Sequence, residues 1–236
     1  MRTSSLVPIL LLAALARAEE KKPSRYPVMA PPEQYRMASA QDEIALARSA
    51  APASISADAE VLVLGKRGYE VAVKGKNGFV CLVQRSWTAG FEDPEFWNPR
   101  LRGPDCLNPP AVRTVLPQYL KRTESVLAGA TRQKLVEEAR SAFASHSFGP
   151  PEAGSFAFML SKNGYLSDDA AGPWLPHVML FVPHGQAANW GAGLEGSPVL
   201  GADGSPIEPT VLFIPVRRWS DGTPAPPPPP LESHQH

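Results

Sequence analysis

The sequence predicts an α+β fold: a mainly antiparallel sheet beginning with a three-strand meander, two consecutive helices packed on one face, and long ordered loops. Three observations predict it. Residues from Glu60 to Val83 form β-rich runs separated by turn residues, an apolar stripe at helical spacing follows Thr131, and further β-rich runs come after that helix.

The chain opens with Arg2, an apolar run from Leu6 to Leu15 broken only by Pro8, and the small-x-small triplet Ala16-Arg17-Ala18. This is the pattern of a secretory signal peptide, so residues 1–18 are expected to be removed and the mature chain to begin at Glu19. An apolar run of about 10 residues falls short of the roughly 20 that a membrane span requires, and no later run is longer. The expected address is therefore periplasmic or extracellular, with no membrane span in the mature chain. Residues 19–38 carry Pro23, Pro27, Pro31 and Pro32 among charges and read as an extended linker, because proline interrupts helix propagation. A single domain is expected over 39–222, followed by a disordered, Pro-rich tail over 223–236.

Within that domain, Gln41 to Ser49 predicts a short helix that stops near Pro52. Val61–Leu64, Tyr69–Val73 and Phe79–Val83 are the three runs of the meander, and Asn77-Gly78 suits a tight turn because both positions tolerate positive φ. Trp87 to Pro110 is rich in aromatics and prolines and has no period. Cys81 and Cys106 are the only cysteines, and an isolated pair in an oxidising compartment is expected to join. Their spacing is not the Cys-x-x-Cys of a redox site. The bond would pin the aromatic stretch as an Ω-type loop.

Asn108 can cap a helix with Pro109 at its first position, carried on by Val112, Val115, Leu116 and Leu120, with a kink at Pro117. Thr131 caps the next, whose Leu135, Val136, Ala139, Ala142 and Phe143 form one stripe while Glu137, Glu138 and Arg140 face water. His146 follows it, where a cation favours the helix C-terminus. Ser155–Leu160, Val178–Val182 and Val211–Val216 are further strands, the second apolar on both faces and so central. Asp203-Gly204 marks a turn before the last.

With 23 basic and 23 acidic residues scattered along the chain, there is no electrostatic footprint for a phosphate backbone, so no nucleic-acid partner is expected. Gly191-Ala192-Gly193-Leu194-Glu195-Gly196 spells a dinucleotide fingerprint, but no strand precedes it directly, and the prolines and glycines after it prevent the helix that would hold a pyrophosphate. No cofactor is implied. His177 and His184 bracket one strand, yet an odd separation of seven residues spans roughly 23 Å and turns the side chains to opposite faces, so no shared metal is expected.

The densest group of polar residues is the loop Ser161 to Asp169, continued by Trp174-Leu175-Pro176-His177. Loops held by a rigid scaffold commonly carry recognition residues. His177 can serve as a general base oriented by Asp168 or Asp169, with Ser161 or Ser167 as the group acted upon, although no Gly-x-Ser-x-Gly elbow surrounds either serine. Alternatively Asn163-Gly164 and Asp168-Asp169 simply make turns. Tyr165, Trp174, His177 and Trp190 are the candidate ligand-binding set; Trp87 and Trp97 also fall in loops, where tryptophans either stack on flat ligands or roof a core.

The succession Gly78-Phe79-Val80-Cys81, Pro104-Asp105-Cys106, Phe158-Met159-Leu160-Ser161 and Pro176-His177-Val178-Met179, closed by Leu212 to Val216, resembles a family of exported bacterial proteins that carries no assigned activity. The resemblance implies export and the cysteine pair, and no chemistry. The expected function is binding of a small molecule or envelope component by an exported, disulfide-braced domain. The alternative is a hydrolase or metal-assisted enzyme centred on His177.

Overall fold

The structure, a computed structural model, describes residues 25–168, 175–205 and 207–227. The expected signal peptide, Asp169, Trp174, His234 and His236 lie outside them. Helix α1, Ala40–Arg48, starts at Ser39, whose side chain accepts from the Asp42 amide, and the short α2, Ala53–Ser56, follows Pro52. The strands are β1 (Glu60–Leu64), β2 (Tyr69–Val73), β3 (Val80–Gln84), β4 (Gly103–Leu107), β5 (Phe156–Met159), β6 (His177–Val182) and β7 (Thr210–Pro215). They form one seven-stranded sheet in the order β2-β1-β3-β4-β5-β6-β7. Every neighbouring pair is antiparallel except β1 and β3. The fold is therefore α+β with a mainly antiparallel sheet.

The first three strands are not a meander. β2 pairs with β1 as an antiparallel hairpin, but β3 passes beyond β1 and joins its other side in parallel. Asn77 does turn the chain, accepting from the Phe79 amide beside Gly78 at φ +78°, but the turn leads into a crossing instead of a hairpin. Backbone bonds from Lys76 N–H to the Asp58 carbonyl (2.7 Å) and from Glu60 N–H to the Phe79 carbonyl (2.9 Å) hold that crossing. Gly75 makes it possible, since a Cβ there would stand 2.2 Å from the Glu60 nitrogen.

The aromatic stretch also departs from expectation. Its last part is β4, in the middle of the sheet, so Cys106 is not at the end of an Ω loop. Cys81 lies opposite Cys106 in the register of β3 and β4, and the disulfide joins two central strands with Cα atoms 3.9 Å apart. Gly103 and Pro104 disguise this strand. Pro104 is tolerated because β4 ladders to β5 only at Cys106 and Leu107, and so needs no proline N–H on that side. The rest of the stretch folds inward. Trp87, Phe91, Phe96 and Trp97 are buried against Leu64, Val126 and Leu135. The segment read as a linker supplies Tyr35 to the same cluster, with its ring 4.7 Å from that of Trp87.

Three helices cross from β4 to β5: α3 (Pro109–Thr114), α4 (Leu116–Leu127) and α5 (Arg132–Ala144). Asn108 and Thr131 cap α3 and α5 as expected, each accepting an amide of the first turn. The single kinked helix expected from Asn108 onward is instead two, because the chain breaks at Val115 and restarts with Pro117 in the first turn of α4. His146 ends α5 in the left-handed region, at φ 58°.

The sheet separates two cores. On one face α1 lays Ala47 over Val61, Cys81, Val83 and Cys106. On the other, α3 and α4 cover Leu62, Leu82, Leu107, Ala157 and Met159 through Ala111, Val115 and Leu116. Each fully buried leucine there contributes roughly 1.5–3 kcal/mol of burial free energy. β6 lies between β5 and β7, as its two-sided apolar character implies.

Candidate functional site

On the α4 face of the sheet lies a cavity of about 390 Å3, within the range of small-molecule sites. Its floor is apolar: Met159 of β5, Met179 and Phe181 of β6, and Val211 and Phe213 of β7. The alternation of strand side chains places these residues on one face. One wall is α4, where Gln118, Tyr119 and Arg122 recur at the three- and four-residue spacing of a helix face. Gly201, Ala202, Gly204, Ser205, Glu208 and Pro209 close the far side. Gly201 lets that segment lie against β7, because a Cβ at its φ of +124° would be 2.7 Å from the Val211 carbonyl.

Arg122 joins the wall to the closing segment. Its guanidinium lies 2.8 Å from the Glu208 carboxylate, donates to the carbonyls of Trp87 and Ala89, and sits 4.1 Å from the centre of the Phe91 ring. Both partners are mostly buried, 12% and 15% exposed, so solvent screens the pair less than it would a surface bridge.

At the end of β3, Gln84 lines the cavity and meets three neighbours. Its Nε2 donates to Asp105 Oδ2 in the adjacent strand, its Oε1 accepts from Thr88 Oγ1 at 2.9 Å, and the Tyr119 hydroxyl lies beside its amide. Asp105 is fully buried, and its Oδ1 makes no full hydrogen bond. Burial pushes this carboxyl up to about 7, and the Gln84 and Cys106 amides offset only part of that. Burial likewise holds the Tyr119 hydroxyl protonated.

His177, the first residue of β6, is 9% exposed and lines the cavity. Its Nδ1 lies 3.0 Å from the Leu175 carbonyl, and since a carbonyl only accepts, Nδ1 carries the proton in the neutral ring. Burial lowers its basicity, and its ring stands edge-on to Phe213 at 5.2 Å.

Of the singled-out residues that the structure describes, Tyr165 and Asp168 meet each other, while His177 faces the cavity. Asp168 accepts from the hydroxyls of Tyr26 and Tyr165 and lies 3.4 Å from Arg100, a knot that ties the loop after β5 to the N-terminal segment. The two tyrosines hold its carboxyl below the usual range, and Tyr26 in turn is raised to about 12. Ser161 meets Ser49 at 2.6 Å, whereas Ser167 donates to Glu95. The loop reaches the cavity through Leu166. Trp190 is 47% exposed in the 3-10 turn Ala187–Trp190 that follows β6 in the chain, whereas Trp87 and Trp97 are core residues and offer no stacking platform. Among the described residues, no three His, Cys, Asp or Glu side chains gather as a metal site.

Gln84, Thr88, Asp105, Tyr119 and Arg122 were not singled out by the sequence. The spacing of Gln118, Tyr119 and Arg122 was the one available signal; the remainder depend on which strands become neighbours. Compared with known protein families, with curated proteins and with solved structures, the chain matches none. No described helix is long and apolar enough to cross a membrane.

Proposed function

We propose that this chain is an exported, disulfide-braced domain that binds a small, mainly apolar molecule in the cavity between α4 and strands β5 to β7. The observation that carries the reading is the cavity itself: about 390 Å3, floored by Met159, Met179, Phe181, Val211 and Phe213 and edged by few polar groups. The signal-peptide pattern at the N-terminus, the resemblance to exported bacterial proteins and the Cys81–Cys106 bond support export. Pairing of His177 with Asp168 as a general base forms no part of the reading, because Asp168 is taken up by Tyr26 and Tyr165.

The test is titration of the mature protein with Nile red, a neutral apolar dye whose emission rises out of water. Saturable binding near one dye per chain is expected, and Val211→Trp, which fills the floor from a half-buried position, should abolish it while near-UV circular dichroism stays native. Dye binding that survives in a folded Val211→Trp protein would place the site elsewhere.

A further inference from the structure

We infer that the cavity selects an uncharged amphiphile, an apolar body ending in one hydroxyl, carbonyl or amide group, and that the Gln84 carboxamide is the group that recognises that end. The inference rests on the proposed cavity function and adds the chemical class of the ligand.

The charged groups around the cavity are already compensated. Arg85 is committed to Glu43 at 2.8 Å and to the carbonyls of Tyr35 and Val83. Arg122 is committed to Glu208 and two carbonyls. Asp93 is half-buried, accepts from the Glu95 amide at 2.7 Å and already faces the charge of Arg132. A carboxylate or ammonium brought onto this floor would lose its hydration and meet no available counter-charge, which is far more costly than burying a neutral polar group. His177 and Asp105 do not change this, since burial favours the neutral form of each.

A neutral head finds a prepared partner. Carboxamides can usually be turned end for end, but here the neighbours fix the orientation. Nε2 faces the Asp105 carboxyl and Oε1 faces the Thr88 hydroxyl, whose proton is shared with the Arg85 carbonyl at 2.7 Å. An amide has two N–H donors and an oxygen with two lone pairs; Asp105 and the Tyr119 hydroxyl oxygen take the two donors and Thr88 one lone pair, so Gln84 retains one acceptor site, with the Tyr119 O–H beside it. One acceptor on Gln84 and one donor on the adjoining Tyr119 match a hydroxyl, which donates and accepts, or an amide. The Tyr119 hydroxyl adjoins the same amide from the α4 wall. Opposite this polar end the wall is thioether, aromatic and aliphatic carbon, which suits an alkyl or ring body and no second polar group.

The experiment displaces Nile red from the folded mature protein at pH 7 with n-decanol, decanoate and decylamine, which share a tail and differ in head charge. Decanol is expected to displace the dye at concentrations at least about tenfold below those of either ion. Gln84→Leu should weaken decanol about three- to tenfold, the range of one lost hydrogen bond, and leave the ions unchanged. Thr88→Val, which frees the carboxamide to turn, gives a smaller loss in the same direction and serves where Gln84→Leu does not fold. Decanoate or decylamine competing as well as decanol overturns the inference, as does an undiminished decanol preference in both folded variants. Failure of all three to displace dye that Val211→Trp abolishes also overturns it and leaves the cavity reading standing. Absence of dye binding overturns both.

Discussion

Arg85 and Glu43 meet 2.8 Å apart in the interior, 0% and 5% exposed, so that the residue after β3 is fastened to α1 across one face of the sheet. Glu43 also accepts the Leu64 amide at 3.1 Å, and Arg85 also donates to the Tyr35 carbonyl. The pair thus links α1, β1, β3 and the N-terminal segment. Glu43→Ala should cost about 3–5 kcal/mol, because it strands a buried guanidinium, and urea unfolding monitored by fluorescence measures this directly. A cost below about 1 kcal/mol would mean that water reaches Arg85 after the truncation.

Reduction of the Cys81–Cys106 bond, or its replacement in Cys81→Ala/Cys106→Ala, is expected to lower stability by about 2–4 kcal/mol. The bond closes a loop with a sequence separation of 25, and its loss releases the unfolded chain. The urea midpoint should fall in both cases. An unchanged midpoint in the double variant would show that β3–β4 pairing alone restrains the chain.

Asp105 makes stability fall as pH rises. Its carboxyl is raised from 3.8 to about 7 in the folded protein, so above the unfolded value the unfolded chain releases a proton that the folded chain keeps. The stabilisation is complete below about pH 4, declines between about pH 4 and 7, and is gone above that, for a total of a few kcal/mol. Asp105→Asn should flatten this segment of the stability profile. Denaturation midpoints at pH 4.5 and 7.5 for the two proteins supply the comparison, and identical pH differences would exclude Asp105 as the source.

Glu208→Gln should loosen the segment that closes the cavity. Removing one charge of the Arg122–Glu208 pair weakens the tie between α4 and the chain at Glu208, so Nile red should leave several-fold faster in stopped-flow dilution. Equal release rates would show that the dye exits by another route.

Protein recovered from the medium or periplasm should begin at Glu19 and contain no free thiol. Intact mass and thiol titration settle both, and recovery with Met1 attached and two reactive cysteines would contradict export.

Much of the fold was legible because it is local. The Asn108-Pro109 and Thr131 caps, the stripe from Leu135 to Phe143, and the runs that became β1, β2, β3, β5, β6 and β7 each carry their signal within a few residues. β4 was hidden because Gly103-Pro104-Asp105 has the chemistry of a turn, and only its neighbours make it a strand. The β2-β1-β3 order was hidden because it depends on a close approach between Gly75 and Glu60, a relation no sequence period encodes. The site was least legible. His177 was found by its chemical type, but Gln84 and Asp105 become meaningful only after β3 and β4 are paired, and Arg122 only once Glu208 folds back onto α4.

The position of the Cys81–Cys106 bond also governs how the molecule withstands enzymes that cut exposed chain. The whole segment between β3 and β4 lies inside the ring that the two sulfurs close. A single cut there leaves two pieces that still travel together, each keeping its strand beside the other, and they separate only when a reductant is added.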